Sequence, residues 1–180
     1  MESRNIKKIA IIGAESTGKT VLCEQLALQF NTVWVPEFAR EYFNNSDIYK
    51  YTLADLEHIA LKQVELEEAL RKKANAVLFC DTALITLKIW AELEFGTCPD
   101  SILNLMKRNP YDYYLITNND VVWEPDLQRL NKFSREKIFE MNKMEAILEK
   151  VSFGIVQGTS ELRVLHAKEQ IRSFQNKQSL

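Results

Sequence analysis

The chain has 180 residues, enough to bury a full core as a single domain, with hydrophobic and charged contents of 46% and 27% that are ordinary for a soluble globular protein. A formal charge of −2 without any basic block excludes the electrostatic footprint of a nucleic-acid binder or a membrane-surface protein, and no apolar run approaches the ~20 residues of a membrane span. Cys23, Cys80 and Cys98 are odd in number and widely spaced, with only His58 and His166 beside them, so reduced thiols in a cytoplasmic protein are expected rather than disulfides or a zinc site.

Ile9, Ala10, Ile11 and Ile12 form the short apolar run of a strand buried on both faces. Gly13, Gly18, Lys19 and Thr20 then complete the pattern G-x-x-x-x-G-K-[ST], and Val21, Leu22, Leu26, Leu28 and Phe30 follow at roughly helical spacing. Strand, loop and helix in this order are what a phosphate-binding loop requires. The glycines turn the backbone and bring its N–H groups to the phosphates, the helix N-terminus adds partial positive charge, Lys19 a full charge, and Thr20 a hydroxyl for Mg²⁺. Gly13, Ala14, Glu15, Ser16, Thr17, Gly18, Lys19, Thr20 and Val21 are the expected ATP contacts.

A second strand is expected over Thr32–Pro36, ending at Pro36-Glu-Phe-Ala-Arg-Glu-Tyr42, with a polar turn at Asn44–Asp47. Thr52 and Asp55 make a capping-box start for a helix reaching about Lys73, with Leu53, Leu56, Ala60 and Val64 on one face. Ala76–Cys80 predicts a third strand closed by Asp81 and Thr82, followed by helical segments through Phe95 and from Pro99 to Arg108. Tyr113–Thr117 predicts a fourth strand, residues 119–135 a short lid, and Ser134 the cap of a helix carrying Ile138, Met141, Met144 and Ile147. A fifth strand over Phe153–Val156, a last helix from Glu161 to Phe174 and a frayed tail complete the chain. The alternation predicts an α/β fold, a three-layer α/β/α arrangement with a five-stranded parallel sheet, whose ligands lie at the carboxyl ends of the strands.

The polar residues after each strand carry the expected chemistry. Asp81 stands where a phosphate-loop enzyme needs a carboxylate for Mg²⁺, with Thr20 as its companion; capping of the next helix is the structural alternative. Because Thr82 rather than a second acid follows it, transfer to a bound acceptor is favoured over hydrolysis. Glu37 and Arg40, three residues apart, share a helical face, where a carboxylate can act as general base and a guanidinium can position acceptor or phosphate. A surface ion pair is the alternative there. The lid carries Asp126 with Arg129, Lys132 and Arg135, whose cations can close over the transferring group, or else form a solvated helix start. Lys19, Glu37, Asp81 and Arg129 form the candidate catalytic set; Glu37, Arg40, Asp81 and Thr82 face the acceptor. Trp34, Trp90 and Trp123 are core residues by default and ring-stacking candidates otherwise.

Gly13-Ala-Glu-Ser-Thr-Gly-Lys-Thr20, Phe30-Asn-Thr32, Glu37-Phe-Ala-Arg-Glu-Tyr42, Asp81-Thr82 with Ile85-Thr86, Asn118-Asn119, and Trp123 with Asp126 and Arg129 resemble, in order, the ribosylnicotinamide kinase domain of NadR-type proteins. The resemblance implies a nucleoside-kinase-like fold, ATP and Mg²⁺, and phosphorylation of nicotinamide riboside at its 5′-hydroxyl to give NMN, with no adenylyltransferase or DNA-binding portion. It carries Lys19 and Thr20 to ATP and Mg²⁺, Glu37 and Arg40 to the acceptor, Asp81 to metal or acceptor, and Arg129 to the lid. The chain departs from the family at Pro36, where a tryptophan is usual, at Ala83, where an acid is usual, and in the lid, where Pro125-Asp-Leu-Gln-Arg129 replaces Asp-Asp-Gly-Leu-Arg. All these departures fall on the acceptor and lid sides. A kinase for another nucleoside or nucleotide, and a regulatory ATPase or nucleotide switch acting on a protein partner, remain as alternatives.

Overall fold

The computed structural model describes residues 6–44, 48, 50–122 and 135–178. β1 (Lys7–Gly13) leads through the phosphate loop into α1 (Lys19–Gln29), and β2 (Trp34–Val35) is followed by α2 (Phe38–Asn44) and α3 (Leu53–Arg71). β3 (Val77–Asp81), α4 (Leu84–Phe95) and α5 (Asp100–Arg108) come next, then β4 (Tyr113–Thr117), α6 (Arg135–Leu148), β5 (Phe153–Val156) and α7 (Ser160–Gln178). The strands form one parallel sheet in the order β2-β3-β1-β4-β5. The chain thus has the three-layer α/β/α P-loop fold.

Alternation along β1 divides the core. Ile9 and Ile11 point to the layer of α1 and α7, where Leu22, Leu26, Ala167 and Ile171 cover them; Ala10 and Ile12 point to the opposite layer, against Ile85, Ile89, Phe139 and Ala146. A third apolar cluster joins α2, α3, α4 and α5 beyond the β2 edge, with Phe43, Leu56, Ile59, Leu84 and Ile102 at its centre. Cys23 and Cys80 are fully buried in these cores. Among the described residues no helix is long and apolar enough to cross a membrane.

Two helices bury a stripe that differs in part from the one their apolar residues suggest. In α1, Cys23 and Ala27 complete the buried face with Leu22 and Leu26, while Val21 and Leu28 are exposed. In α6, Ile138, Phe139, Asn142 and Ala146 are buried, leaving Met144 and Ile147 in solvent. Residue size is not burial: small side chains face the sheet because backbones approach closely there. Thr52 and Asp55 do form the capping box of α3. β2 is shorter than the sequence suggests, β3 includes Asp81, and α7 continues through Gln178 in place of a frayed tail. Ser134 lies outside the described residues, as do Trp123, Asp126, Arg129 and Lys132 of the expected lid.

The inner face of α3 carries two polar residues, Gln63 and Glu67, among Leu56, Ile59 and Ala60. Glu67 accepts from Lys8 Nζ at 2.9 Å and from Tyr111 Oη at 2.6 Å, and Lys8 also donates to Asn109 O and lies 4.0 Å above the Tyr111 ring. This buried network ties α3 to the start of β1 and the approach to β4. Removing one partner strands the other in a low-dielectric interior, so Glu67→Ala is expected to lower the unfolding free energy by about 3–5 kcal/mol in urea titration. Glu67→Gln, which keeps an acceptor for Tyr111, should lose less.

Candidate active site

The phosphate loop leaves the centre of the sheet, with β3 on one side and β4 on the other, where the strand connections diverge. Gly13 pairs with Thr117 of β4 at φ +138°; a Cβ there would collide with the Thr117 hydroxyl and stand 2.9 Å from its carbonyl oxygen. Gly18, at φ +75°, turns the chain into α1, whose N-terminus has no capping side chain and no acid in its first turn. Its first N–H groups therefore have no side-chain competitor for an anion. Inside the loop, Thr17 Oγ1 donates to Ala14 O at 2.8 Å and lies 2.6 Å from Thr117 Oγ1, and Lys19 Nζ donates to the same Ala14 oxygen at 2.8 Å.

Thr20 Oγ1 donates to Asp81 Oδ2 at 2.6 Å, joining the start of α1 to the end of β3. Asp81 is 1% exposed, and its other oxygen, Oδ1, has no hydrogen-bond partner among the described residues. Burial pushes its carboxyl up to about 6; Glu37 pushes in the same direction, against the Thr20 hydrogen bond and the charges of Lys19 and Arg40. Burial also lowers the Lys19 ammonium below the ordinary lysine range, with Glu37 and Asp81 opposing the shift. The oxygen pair of Thr20 and Asp81 is a hard donor set that suits Mg²⁺.

Glu37 lies just before α2 and accepts from Arg40 Nε at 3.2 Å. The Glu37 side chain is only 12% exposed and that of Arg40 43%, so the pair forms with its carboxylate buried and its guanidinium partly in solvent. Gln63 grips the backbone on both sides of Glu37: Oε1 accepts from Phe38 N at 2.8 Å and Nε2 donates to Pro36 O at 3.3 Å. Glu37 is thus aimed by α3, from 26 positions away in sequence.

Gly13, Glu15, Lys19, Glu37, Arg40 and Thr82 line one cleft, which continues between Phe43, Ile48, Thr86, Ile89, Trp90 and Ile138. Thr82, at φ +76°, donates its N–H to Ile11 O, while the hydroxyls of Thr82 and Thr86 are buried without hydrogen-bond partners among the described residues. The lining mixes charged and hydroxyl-bearing side chains with apolar ones around about 40 Å³ of space, so a nucleoside-sized molecule would enter only as these walls part. Of the expected ATP contacts, Val21 points to solvent from the first turn of α1. Trp34 is partly buried against the core, Trp90 lines the cleft, and Arg135 donates to Val121 O through both terminal nitrogens at 3.1 Å.

Gln63 and Arg163 belong to this region but are absent from the residues expected from sequence, and Thr86 entered there only within a motif, without a role. The signal for the first two is a polar residue inside an apolar stripe. Gln63 falls in register with Leu56, Ile59 and Ala60, and Arg163 with Ala167, Ile171 and Phe174.

Residues 8–163 match a family described as an AAA domain, most of the chain. The trifunctional NAD biosynthesis/regulator protein NadR of Escherichia coli (strain K12) is 28% identical over 180 residues, covering 96% of this chain and 44% of the relative. The chain spans less than half the length of the curated relatives it matches. A crystal structure of NadR protein in complex with NR superposes with a TM-score of 0.78 at 20% identity, over 94% of this chain and 50% of that one. One in complex with NAD and AMP-PNP gives 0.75 at 21% identity, over 95% and 50%. The NadR-type resemblance drawn from the motifs is borne out, as is the nucleoside-kinase-like P-loop fold. The chain belongs to the AAA domain family, with a P-loop domain of the NadR type.

Proposed function

We propose that the chain transfers the γ-phosphoryl group of ATP to the 5′-hydroxyl of nicotinamide riboside, giving NMN and ADP. The observation that carries this reading is the continuity of the cleft. Lys19, the Glu37–Arg40 pair and Thr82 line it together with the apolar side chains of Phe43, Ile48, Ile89 and Trp90. With the walls parted, a ribose hydroxyl would meet the polar part of this lining and a flat ring the apolar part. The NadR protein solved with NR, whose fold covers 94% of this chain, supports the choice of acceptor.

In this reading the free N–H groups at the start of α1 and the loop amides receive the phosphates, and Lys19 exchanges Ala14 O for phosphate oxygens. Thr20 and Asp81 would hold Mg²⁺, which would supply positive charge against the developing charge of the transferring group. Glu37 accepts the proton of the 5′-hydroxyl as that oxygen bonds to the γ-phosphorus and the bridging oxygen departs with ADP. Arg40 and Gln63 keep the carboxylate in position. Asp81, tied to Thr20 on the loop side, is the metal ligand, and Glu37, across the cleft, is the base. Arg129, which lies outside the described residues, is the cation that the motif resemblance offers to the transferring group. Most of the rate enhancement comes from positioning and electrostatics.

The test is ADP release from ATP·Mg²⁺ with a panel of nucleosides, including nicotinamide riboside, and a blank without acceptor. Strong stimulation by nicotinamide riboside, with NMN as product, is expected. Stimulation by another nucleoside alone would reassign the acceptor. Slow release unaffected by any nucleoside would leave a nucleotide switch in place of a kinase.

A further inference from the structure

The acceptor-side residues Glu37 and Arg40 follow β2, and Thr82 and Thr86 follow β3, so the sheet order leaves the ends of β4 and β5, on the other side of β1, for the nucleoside end of ATP. A buried cation stands on that side. Arg163, in the first turns of α7, has a side chain 6% exposed. Its Nη1 donates to Thr17 O at 2.8 Å, its Nε to Gly158 O at 2.7 Å, and its Nη2 to Asn118 O at 3.4 Å and to the Asp120 carboxylate. Asp120 Oδ2 also accepts from Gly158 N at 2.6 Å. One guanidinium therefore binds the phosphate loop, the segment after β4 and the turn after β5.

The bond to Thr17 has a directional consequence. The peptide joining Thr17 to Gly18 is planar and trans, so its C=O and N–H point in opposite directions. Drawing the Thr17 carbonyl toward Arg163 aims the Gly18 N–H the other way, away from α7. A hydrophobic residue would fill the same volume without the desolvation penalty of a buried cation, but it could not orient that peptide.

We propose that Arg163 is a positioning residue for ATP, fixing the Thr17–Gly18 peptide so that its N–H faces the phosphates and locking Asp120 and Gly158 as the rim beneath the nucleoside. The proposal rests on the reading of the loop as an ATP site but not on the identity of the acceptor. The experiment is equilibrium binding of ATP·Mg²⁺ without acceptor, by calorimetry, for wild type, Arg163→Met, Arg163→Lys and Asp120→Ala, with a thermal melt of each. Loss of charged hydrogen bonds of this kind corresponds to a dissociation constant about tenfold higher or more for Arg163→Met. Arg163→Lys, able to reach fewer of the carbonyls, should fall between, and Asp120→Ala should show a smaller loss in the same direction. In turnover, KM for ATP should rise while KM for the acceptor stays within about twofold. A folded Arg163→Met that binds ATP as wild type does, or that weakens ATP and acceptor equally, would overturn the assignment. If Arg163→Met does not fold, wild-type ATP affinity in both Arg163→Lys and Asp120→Ala overturns it. A wild-type protein that binds ATP yet ignores nicotinamide riboside removes the acceptor reading and leaves this one standing.

Discussion

Glu37→Gln is expected to reduce phosphoryl transfer to nicotinamide riboside by about 10²–10⁴-fold, the usual contribution of a positioned general base. Binding of ATP should change by less than about twofold, because Glu37 approaches the cleft from α2 rather than from the phosphate loop. Glutamine has nearly the same shape, and its amide oxygen still accepts from Arg40, so the turn gripped by Gln63 is preserved. What it cannot do is take the proton. The substitution also removes one of the two influences that raise the Asp81 carboxyl. The residual activity of the variant should therefore keep its acid limb but move it to lower pH. Steady-state rates against pH, with ATP and acceptor varied separately, test both parts. Near-wild-type transfer would take Glu37 out of the mechanism and leave Asp81 as the carboxylate that must serve both proton and metal.

The parts of the fold that can be read from sequence are those fixed by local chemistry. The phosphate loop announces itself because only certain residues fit it: Gly13 for contact with Thr117, Gly18 for its left-handed turn, Lys19 and Thr20 for charge and hydroxyl. β1, β4 and β5 are short apolar runs bounded by polar turns, and buried parallel strands leave that signature. The capping box at Thr52 is equally local. Which stripe of a helix faces the sheet is not local. In α1 the choice of Cys23 and Ala27 over Val21 and Leu28 depends on how closely α1 lies on β1 and β3. A helix with apolar residues on several faces has no single preferred orientation by periodicity alone.

The site follows the same division. Asp81, Glu37 and Thr82 follow strands or end them, and topology alone places them at the rim. Gln63 and Arg163 escape that argument because their partners lie far away in the chain: Gln63 grips residues 36 and 38, and Arg163 reaches back to Thr17. Sequence exposes only their oddity, a polar group inside an apolar stripe. The two threonine hydroxyls of the cleft differ again. Thr82 is legible from the strand end, whereas Thr86 depends on which face of α4 turns toward the cleft.

Asp81→Asn should make the protein more stable at neutral pH while depressing transfer by about 10²–10³-fold, the loss of several kcal/mol of metal-assisted stabilisation. The stability half follows from linkage. The Asp81 carboxyl titrates at about 6 in the folded chain against an ordinary value of 3.8, so the folded state holds this proton more tightly than the unfolded state does. Its contribution to stability is greatest below 3.8, where both states are protonated, falls as pH rises through the window to about 6, and stays at the lower level above it. The asparagine of the variant does not titrate, and its side-chain oxygen can still accept from Thr20. The melting temperature of the variant should therefore match wild type near pH 3 and exceed it at pH 8, both outside the window between 3.8 and about 6. Added Mg²⁺ and ATP should reverse the order at pH 8, because the ionised Asp81 with its unpaired Oδ1 gains a partner and the neutral amide does not. A destabilised variant at pH 8 without nucleotide would contradict the burial of a charge at this position. Equal stabilisation of both proteins by Mg²⁺ and ATP would move the metal away from Asp81. The opposite responses expected of stability and transfer express one physical fact: a carboxylate held in a dry rim is a liability to the fold and an asset to phosphoryl transfer.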